Sequence, residues 1–280
     1  MRQLRNRGSQ VYAGASPGTK SRLASHSLAF DIRDPEAVKA AVEKTDPDVV
    51  FHLAAAGVTN PAIDPMLALM VNAGGVVNLL EALRGGDTER IVLVGTSHEY
   101  GAQEATEGLD PFSAYAASKA AAWAYGRTYW RAYSLPIVTV RPFQVYGPGQ
   151  PQTALIPAAV SAALCGQHFP MTPGEQELDF VYVEDVVQGM TAAAEAPGIE
   201  GESLDLGTGV GRALRSVVDQ IWSLTGAEGE VRAGALPYRS GGPMHLVANA
   251  ERTAELIGWR ATTSLEEGLC ATIQGLAGEG

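Results

Sequence analysis

The chain has 280 residues, of which 46% are hydrophobic and 18% are charged, a composition typical of a folded globular protein and not of a disordered or fibrous one. Its formal net charge of −11 is a poor match for the phosphates of nucleic acids or for anionic lipid, so we expect neither nucleic acid nor a membrane as partner. The apolar stretches are broken by charged residues, glycine or proline before about 18 residues, so no transmembrane helix is expected.

The two cysteines, Cys165 and Cys270, lack the spacing of metal ligands, and they are predicted to be free thiols. No metal site is expected. The first 20 residues carry arginines without a following apolar segment and do not resemble a secretory signal, so a cytoplasmic location is predicted.

In the first half of the chain, short β-branched runs alternate with longer, alanine-rich segments. In chain order the pattern predicts a strand at Gln10–Ala13, a helix opened by Asp34 and Pro35, a strand at Asp48–Ala54, a helix at Ala62–Leu83, a strand at Ile91–Gly95, a helix at Ser113–Tyr133 and a strand at Ile137–Val140. The run Ile91–Gly95 shows no alternation, as expected for a strand covered on both faces. The rhythm indicates an α/β fold, a Rossmann-like doubly wound parallel sheet.

After Gly147 the chain becomes richer in glycine and proline, and strands and helices alternate less regularly. We therefore expect two parts. Residues 1–147 form the Rossmann-like dinucleotide-binding part, and residues 148–280 form mainly a smaller substrate-binding lobe, with some segments returning to the first part.

Tyr115 and Lys119 are four residues apart on a predicted helix, so they share one face. An ammonium one turn from a phenol favours the phenolate and is expected to lower the tyrosine pKa. Such a pair moves a proton to or from a hydroxyl while a cofactor moves hydride. The spacing alone is weak, because it occurs on many surface helices.

Polar residues also follow two predicted strands directly. Thr96 comes after Ile91–Gly95, and Arg141 to Gly149 follow the strand Ile137–Val140. Ligands bind at the carboxyl ends of parallel strands, so Thr96 is a candidate to hydrogen-bond a reacting hydroxyl or carbonyl. An ordinary turn built from small polar residues explains the same pattern.

Taken in order, these segments resemble an extended short-chain dehydrogenase/reductase of the NAD-dependent epimerase/dehydratase family. The similarity runs over nearly the whole chain. It includes Phe30–Asp34, Asp48–Ala55, Val71–Leu83, Gly95–Gly101, Ser113–Lys119, Arg141–Gly149, Asp179–Val186, Leu204–Gly211 and Asn249–Trp259.

The resemblance implies roles for individual residues of a nucleotide-sugar enzyme. Thr96, Tyr115 and Lys119 match the catalytic triad, and Asn72 matches a helix asparagine that positions the site. The cofactor-binding matches are Asp31, Ile32, Ala54, Ala55, Lys119, Pro142 and Phe143. The substrate-binding candidates are Ser97, His98, Gln144 and Arg239, of which Arg239 matches an arginine that binds the substrate diphosphate.

The chain departs from the family pattern at its start. The family opens with a strand and a glycine-rich loop that cradle the cofactor pyrophosphate, whereas Met1–Gly8 resembles the end of the helix that follows that loop. The first strand normally lies in the middle of the sheet, so its neighbours are expected to lose a partner. The glycine-rich run Gly207–Gly211 lies in the other lobe and has Arg212 where a third glycine is required. We therefore expect coding sequence upstream of Met1, and weak dinucleotide binding by these 280 residues.

Two further departures concern the reaction. Ser97 and His98 stand where dehydratases of the family place carboxyl groups, which argues against a 4,6-dehydratase. Leu178 replaces an arginine expected to contact the nucleotide sugar. The segment Gly95–Gly101 resembles that of GDP-6-deoxy-4-keto-mannose reductases, so the resemblance implies a nucleotide-sugar 4-ketoreductase, with a 4-epimerase as the alternative.

The sequence also suggests a cofactor, an oligomeric state and an alternative function that is not catalytic. NADP is slightly favoured over NAD, because Gly14–Arg22 lacks an acidic residue and contains Lys20 and Arg22, which suit a 2′-phosphate. A homodimer through Ala62–Leu83 and Ser113–Tyr133 is expected. The rival is a non-catalytic sugar-nucleotide-binding or partner protein that lacks the phosphate loop.

Overall fold

A computed structural model describes residues 1–18, 26–60, 62–102, 108–238 and 241–277 of the chain. Its strands are β1 (Tyr12–Ala15), β2 (His26–Ala29), β3 (Val49–His52), β4 (Arg90–Val94), β5 (Ile137–Pro142), β6 (Gln144–Tyr146), β7 (Phe169–Met171), β8 (Glu177–Tyr182), β9 (Ser203–Leu206), β10 (Gly211–Ala213), β11 (Val231–Ala233) and β12 (His245–Leu246).

The helices of the described residues alternate with these strands. They are α1 (Arg2–Asn6), α2 (Pro35–Thr45), α3 (Pro65–Ala68), α4 (Gly75–Leu83), α5 (Ala114–Tyr133), α6 (Leu155–Leu164), α7 (Val183–Glu195), α8 (Leu214–Thr225), α9 (Ala250–Ile257) and α10 (Leu265–Ala277). A π-helical segment, Leu69–Gly74, joins α3 to α4, and a 3-10 turn, Ser97–Tyr100, follows β4.

A parallel sheet with the strand order β3-β4-β5-β9 forms the centre of the fold. Alternate residues of β4 enter different cores. Ile91 and Leu93 pack with residues of α4 and α5, whereas Val92 packs with residues of α7 and β9. Both faces of the sheet are therefore covered by helices, and the prediction of a Rossmann-like doubly wound sheet is confirmed.

The strands β1 and β2 form a separate parallel pair, in which Tyr12 lies opposite His26. Within the described residues this pair shares no ladder with β3, and Val49 of β3 is 38% exposed. Three residues after β2, Ile32 packs against Gly75 of α4. Among the described strands, β1 and β2 therefore form a ladder apart from that of the central sheet.

The predicted helix Ala62–Leu83 is observed as one continuous helical stretch, Pro65–Leu83, that changes from α to π and back. Its 19 residues are long and apolar enough, by length and composition alone, to cross a membrane. The expectation that no segment would reach that length is therefore wrong. The stretch packs against α5 and α2, and Leu79, Leu80 and Leu83 lie in the core, as in the core helices of many globular proteins.

Helix α5 carries the predicted Tyr-Lys pair across the sheet. Ser113 caps its first turn by accepting a hydrogen bond from the amide of Ala116, and Ser134 ends it in the left-handed conformation. The helix lies close to β4, because a Cβ at Gly126 would be 2.7 Å from Leu93. Lys119 and Ala122 are buried on the same side, so this face of α5 points into the protein.

The second half of the chain builds a second core around β8. This strand pairs with β6 and β12 in parallel and with β10 in antiparallel orientation, and β7 pairs with β11. Phe180 of β8 packs there with residues of α6, α8 and α10. Other segments after residue 147 belong to the central sheet and its cores. Leu204 of β9, for example, pairs with Val140 of β5 and packs in the same core as Val92.

Candidate active site

Thr96 directly follows β4, at the carboxyl edge of the central sheet. It opens the 3-10 turn as its N-cap, with its hydroxyl accepting a 3.3 Å hydrogen bond from the amide of His98. The carboxylate of Glu99 accepts in return from the backbone amide of Thr96 at 2.8 Å. This reciprocal capping box fixes the backbone conformation at the predicted catalytic threonine.

Tyr115 and Lys119 lie one turn apart on the buried side of α5. Lys119 is only 3% exposed, and burial lowers its pKa to about 8, while the charge of Glu99 acts in the opposite direction. Burial also raises the pKa of Tyr115, a hydrogen bond with Thr96 opposes this change, and the charge of Glu99 adds to it. The prediction that Lys119 lowers the tyrosine pKa is therefore wrong here, because burial has the largest effect.

His52 lies at the end of β3 and lines a small cavity together with Lys119. Burial lowers the pKa of His52 to about 3, and the nearby charge of Lys119 adds to that change. Its Nε2 atom has no hydrogen-bond partner among the described residues. The imidazole is therefore neutral at physiological pH, and it does not compete with Lys119 as a cation.

Asn72 connects the π-helical segment to α5. Its amide nitrogen donates to the hydroxyl of Ser118 at 2.8 Å and to the carbonyl of Ala56 at 3.0 Å, and its oxygen accepts from the amide of Ala56. A π-turn at this position is typical of functional sites. The predicted positioning asparagine thus holds the backbone that follows β3 against the residue next to Lys119.

The predicted cofactor residues occupy several strand ends. Ala54 and Ala55 follow β3 directly, with Ala54 exposed. Asp31 already accepts hydrogen bonds from the guanidinium and the backbone amide of Arg33, which hold the pKa of its carboxyl near 2. The carbonyl of Ile32 accepts from the side chain of Asn78.

Pro142 is the last residue of β5, and Phe143 lies between β5 and β6, beside the carboxyl edge of the sheet. Pro142 is partly exposed, but Phe143 is 5% exposed and packs with Tyr100, Leu246 and Ala248. The side chain of Phe143 therefore belongs to the core rather than to the predicted cofactor pocket.

Of the predicted substrate residues, His98 and Gln144 come together. The Nε2 atoms of both side chains are 3.5 Å apart, and the His98 ring lies 5.4 Å from Phe112 and 6.4 Å from Tyr115 between ring centroids. The structure thus brings both residues beside the predicted catalytic tyrosine.

The other two predicted substrate residues are not placed there. Ser97 is fully buried, with no hydrogen-bond partner for its hydroxyl among the described residues, so the structure does not support direct contact with a substrate. Arg239 lies outside the described residues, as do Lys20 and Arg22.

The backbone amides of the glycine-rich run Gly207–Gly211 already bind a carboxylate of the protein itself. The buried carboxylate of Asp179 accepts from the amides of Thr208 and Gly209, each at 2.8 Å, and from the Thr208 hydroxyl at 2.6 Å. These donors are therefore not available to a phosphate.

A buried polar network, which no sequence motif predicts, lies below the turn. It contains Glu99, Tyr100, Arg141 and Asp205, each less than 10% exposed. The only sequence signal for it is a charged residue, Arg141, in an otherwise apolar strand.

The residues present fit a dinucleotide at its nicotinamide end, where a tyrosine, a lysine and small residues meet at the sheet edge. In the described segments no glycine-rich turn with free amides links a strand of this sheet to a helix. The pyrophosphate part of such a cofactor therefore has no matching cradle in those segments.

Comparison with known proteins connects this geometry to a family. The model of the NAD dependent epimerase/dehydratase family matches residues 1–207. The UDP-glucose 4-epimerase of Mycolicibacterium smegmatis is 30% identical over 240 residues, which cover 81% of this chain and 75% of that protein.

Two solved structures agree with this match. The UDP-glucose 4-epimerase of Thermotoga maritima, solved with UDP-glucose, is 25% identical with a TM-score of 0.92, and that of Thermus thermophilus, solved with NAD, is 28% identical with a TM-score of 0.88. Each comparison covers 99% of this chain and 94% of the other. The chain belongs to the NAD-dependent epimerase/dehydratase family of enzymes.

Proposed function

We propose that the protein catalyses oxidation and reduction at a sugar carbon, C4, of a nucleotide sugar. The observation that carries this proposal is the placement of Tyr115 and Lys119 one turn apart on α5, beside Thr96 at the carboxyl edge of the sheet. The names of the similar proteins support a nucleotide sugar as the substrate class.

Each residue has a distinct task in this proposal. Tyr115 exchanges a proton with the C4 oxygen, and Thr96 orients that oxygen by hydrogen bonding. Lys119 supplies a positive charge beside the phenol and holds a ribose hydroxyl of the cofactor. NAD(P), when bound, accepts or donates the hydride at C4. Because burial raises the pKa of Tyr115, the phenol is protonated at neutral pH, the form that donates a proton to an alkoxide formed from a ketone.

Epimerisation is our first candidate outcome. In this reaction the C4 hydroxyl is oxidised to a ketone, the keto sugar turns over, and reduction from the other face returns the hydride. The similar proteins named above are UDP-glucose 4-epimerases, which favours this outcome. No cofactor is consumed in the net reaction.

A 4-ketoreductase is the second candidate. It is favoured by the segment Gly95–Gly101, which resembles that of 4-keto-sugar reductases, and by the protonated state of Tyr115. Here the nucleotide 4-keto sugar is the substrate, and one reduced cofactor is consumed for each turnover.

One pair of assays separates the outcomes. Incubation with UDP-glucose and a small amount of NAD, followed by proton NMR, is expected to show the C4 epimer without accumulation of NADH. Oxidation of NADPH or NADH that depends on a nucleotide 4-keto sugar identifies a reductase instead. Binding of the nucleotide sugars without either reaction would contradict the enzymatic proposal and support a non-catalytic binding protein.

A homodimer is also part of the proposal. Met66, Leu67, Leu69 and Met70 on the stretch Pro65–Leu83, and Tyr125 on α5, are all more than 40% exposed. An apolar patch on two packed helices favours association with a second copy. Sedimentation velocity should show a dimer that Met70→Glu dissociates, whereas Met244→Glu, at a residue similarly exposed on another surface, leaves it intact.

A further inference from the structure

Three charged side chains lie buried beside the proposed catalytic pair. Glu99 is 0% exposed, Arg141 is 3% exposed and Asp205 is 5% exposed. Burying charge is costly unless each group is paired and hydrogen-bonded. The contacts of Glu99 indicate what this cluster does for the site.

The carboxylate of Glu99 lies directly beside the backbone of Thr96. One oxygen accepts from the Thr96 amide at 2.8 Å, and the other accepts from Nε of Arg141 at 2.8 Å. A Cβ at Gly95 would stand only 2.5 Å from the first oxygen. Residue 95 is therefore a glycine because the carboxylate occupies the space of a side chain, and not only because the chain turns there.

Arg141 is fixed in turn by three structural elements. Its guanidinium lies over the rings of Tyr100 and Trp123, at 5.1 and 5.4 Å from their centroids. Trp123 lies on α5, one turn beyond Lys119. The Tyr100 hydroxyl accepts from Arg141 at 3.2 Å and donates to Asp205 of β9 at 2.7 Å. The position of Glu99 is thus determined by β5, α5 and β9 together.

We propose that Glu99 is a positioning residue, whose carboxylate fixes the backbone of Thr96 and supplies the negative charge that balances buried Lys119. The proposal rests on the proposed roles of Thr96, Tyr115 and Lys119. It assigns to Glu99 no contact with substrate or cofactor.

The charges around Lys119 are consistent with this role. Glu99 opposes the effect of burial on the pKa of Lys119, whereas His52 on the other side is neutral. Burial raises the pKa of Asp205 to about 6, against the lowering effects of the Tyr100 hydrogen bond and the charge of Arg141. Asp205 therefore acts with Arg141, whereas Glu99 is the carboxylate whose charge acts on Lys119.

The test is an NMR titration of the full chain labelled with ¹³C at the lysine ε carbons, with Lys119 assigned by its loss in Lys119→Arg. Glu99→Gln is expected to lower the pKa of Lys119 by about one unit, the usual effect of one nearby charge. It should also lower kcat about tenfold or more with KM unchanged. Glu99→Asp keeps the charge but shortens the reach to Thr96, so it should restore the Lys119 titration and not kcat.

Asp185→Asn is the matched control. Asp185 is 1% exposed and accepts hydrogen bonds from Thr262 and Thr263, so its loss also removes a buried charge and destabilises the fold. It should leave the Lys119 titration and kcat unchanged. If Glu99→Gln destabilises the protein as this control does, yet leaves the titration of Lys119 in place, the positioning role is wrong.

The titration does not depend on turnover, so it separates the two proposals. A shift of the Lys119 pKa in Glu99→Gln, in a chain that converts no nucleotide sugar, would uphold the charge balance between Glu99 and Lys119 and overturn the proposed function.

Discussion

The side-chain amide of Asn72 donates a 2.8 Å hydrogen bond to the hydroxyl of Ser118, and so joins the π-helical segment to α5 inside the core. Asn72→Ala leaves both polar groups of the Ala56 backbone without this partner, and the Ser118 hydroxyl keeps only its hydrogen bond to the carbonyl of Tyr115. We expect a loss of about 2–3 kcal/mol in the free energy of unfolding, measured with urea, because buried polar groups lose hydrogen bonds.

Thr272→Val is a control for that measurement. Thr272 is also fully buried, but its hydroxyl makes a single hydrogen bond to the carbonyl of Gly268 within α10. A loss of about 1 kcal/mol is expected. Equal losses in the two variants would show that Asn72 does not hold the segments together as described.

Tyr115→Phe should lower kcat by about 10²–10⁴, because a group that exchanges a proton with the substrate is removed. The midpoint of thermal unfolding should stay close to that of the wild type. Tyr133→Phe on the same helix, 49% exposed, is the control and should retain full activity. Wild-type kcat in Tyr115→Phe would exclude this tyrosine as the proton donor.

Lys119→Met should abolish turnover and yet stabilise the protein at pH 7. Because burial lowers the lysine pKa to about 8 in the folded state, the unfolded chain binds this proton more tightly. The ionised lysine therefore destabilises the fold below pH 8, and the penalty disappears as the pH rises from about 8 to the usual lysine pKa of about 10.4. At pH 7 the gain is on the order of 3 kcal/mol at most.

Thermal unfolding measured from pH 7 to pH 10.5 tests whether the ionised lysine destabilises the fold. The stability of the wild type should approach that of Lys119→Met as the pH rises. Lys39→Met, which removes an exposed lysine, should track the wild type throughout. A variant less stable than the wild type at pH 7 would show that the charge of Glu99 outweighs the cost of burying Lys119.

We expect these 280 residues to bind dinucleotide weakly. In the described segments the donors of the run Gly207–Gly211 are occupied by Asp179, and no other glycine-rich turn is placed to receive a pyrophosphate. Isothermal titration calorimetry with NAD and NADP measures this directly. Micromolar affinity would show that other groups replace the amides and helix dipole of such a loop.

The cofactor preference is a separate prediction, based on Lys20 and Arg22, which lie outside the described residues. We expect NADPH to bind more tightly than NADH, and Lys20→Ala with Arg22→Ala to remove the difference, because these cations suit a 2′-phosphate. Tighter binding of NADH by the unaltered chain would contradict this preference.

The sequence predicts the parallel strands and the Tyr115–Lys119 pair because both depend on local patterns, namely apolar runs and the spacing of one helical turn. It does not predict the pKa of Tyr115, since burial is a tertiary property. Nor does it reveal the network below Thr96. Glu99 and Arg141 are 42 residues apart, and Tyr100 and Asp205 are 105 residues apart. No periodicity links such positions.

Ser97 shows the same limit at one position. Its place next to Thr96 suggests contact with substrate. The 3-10 turn, however, places Ser97 in the core and brings His98 next to Tyr115. The capping box determines which of the two neighbours, Ser97 or His98, points toward Tyr115. Sequence spacing alone does not predict this choice.

The pairing of β9 with β5 determines how the chain can be divided. A fragment ending at Gly147 would contain Val92 and Val138, but it would lack β9 and helix α7, which cover them. The apolar face of its sheet and the edge of β5 would then be open to water and to other chains. Expressed alone, residues 1–147 should aggregate, and productive cutting or splicing of this protein must keep both halves together.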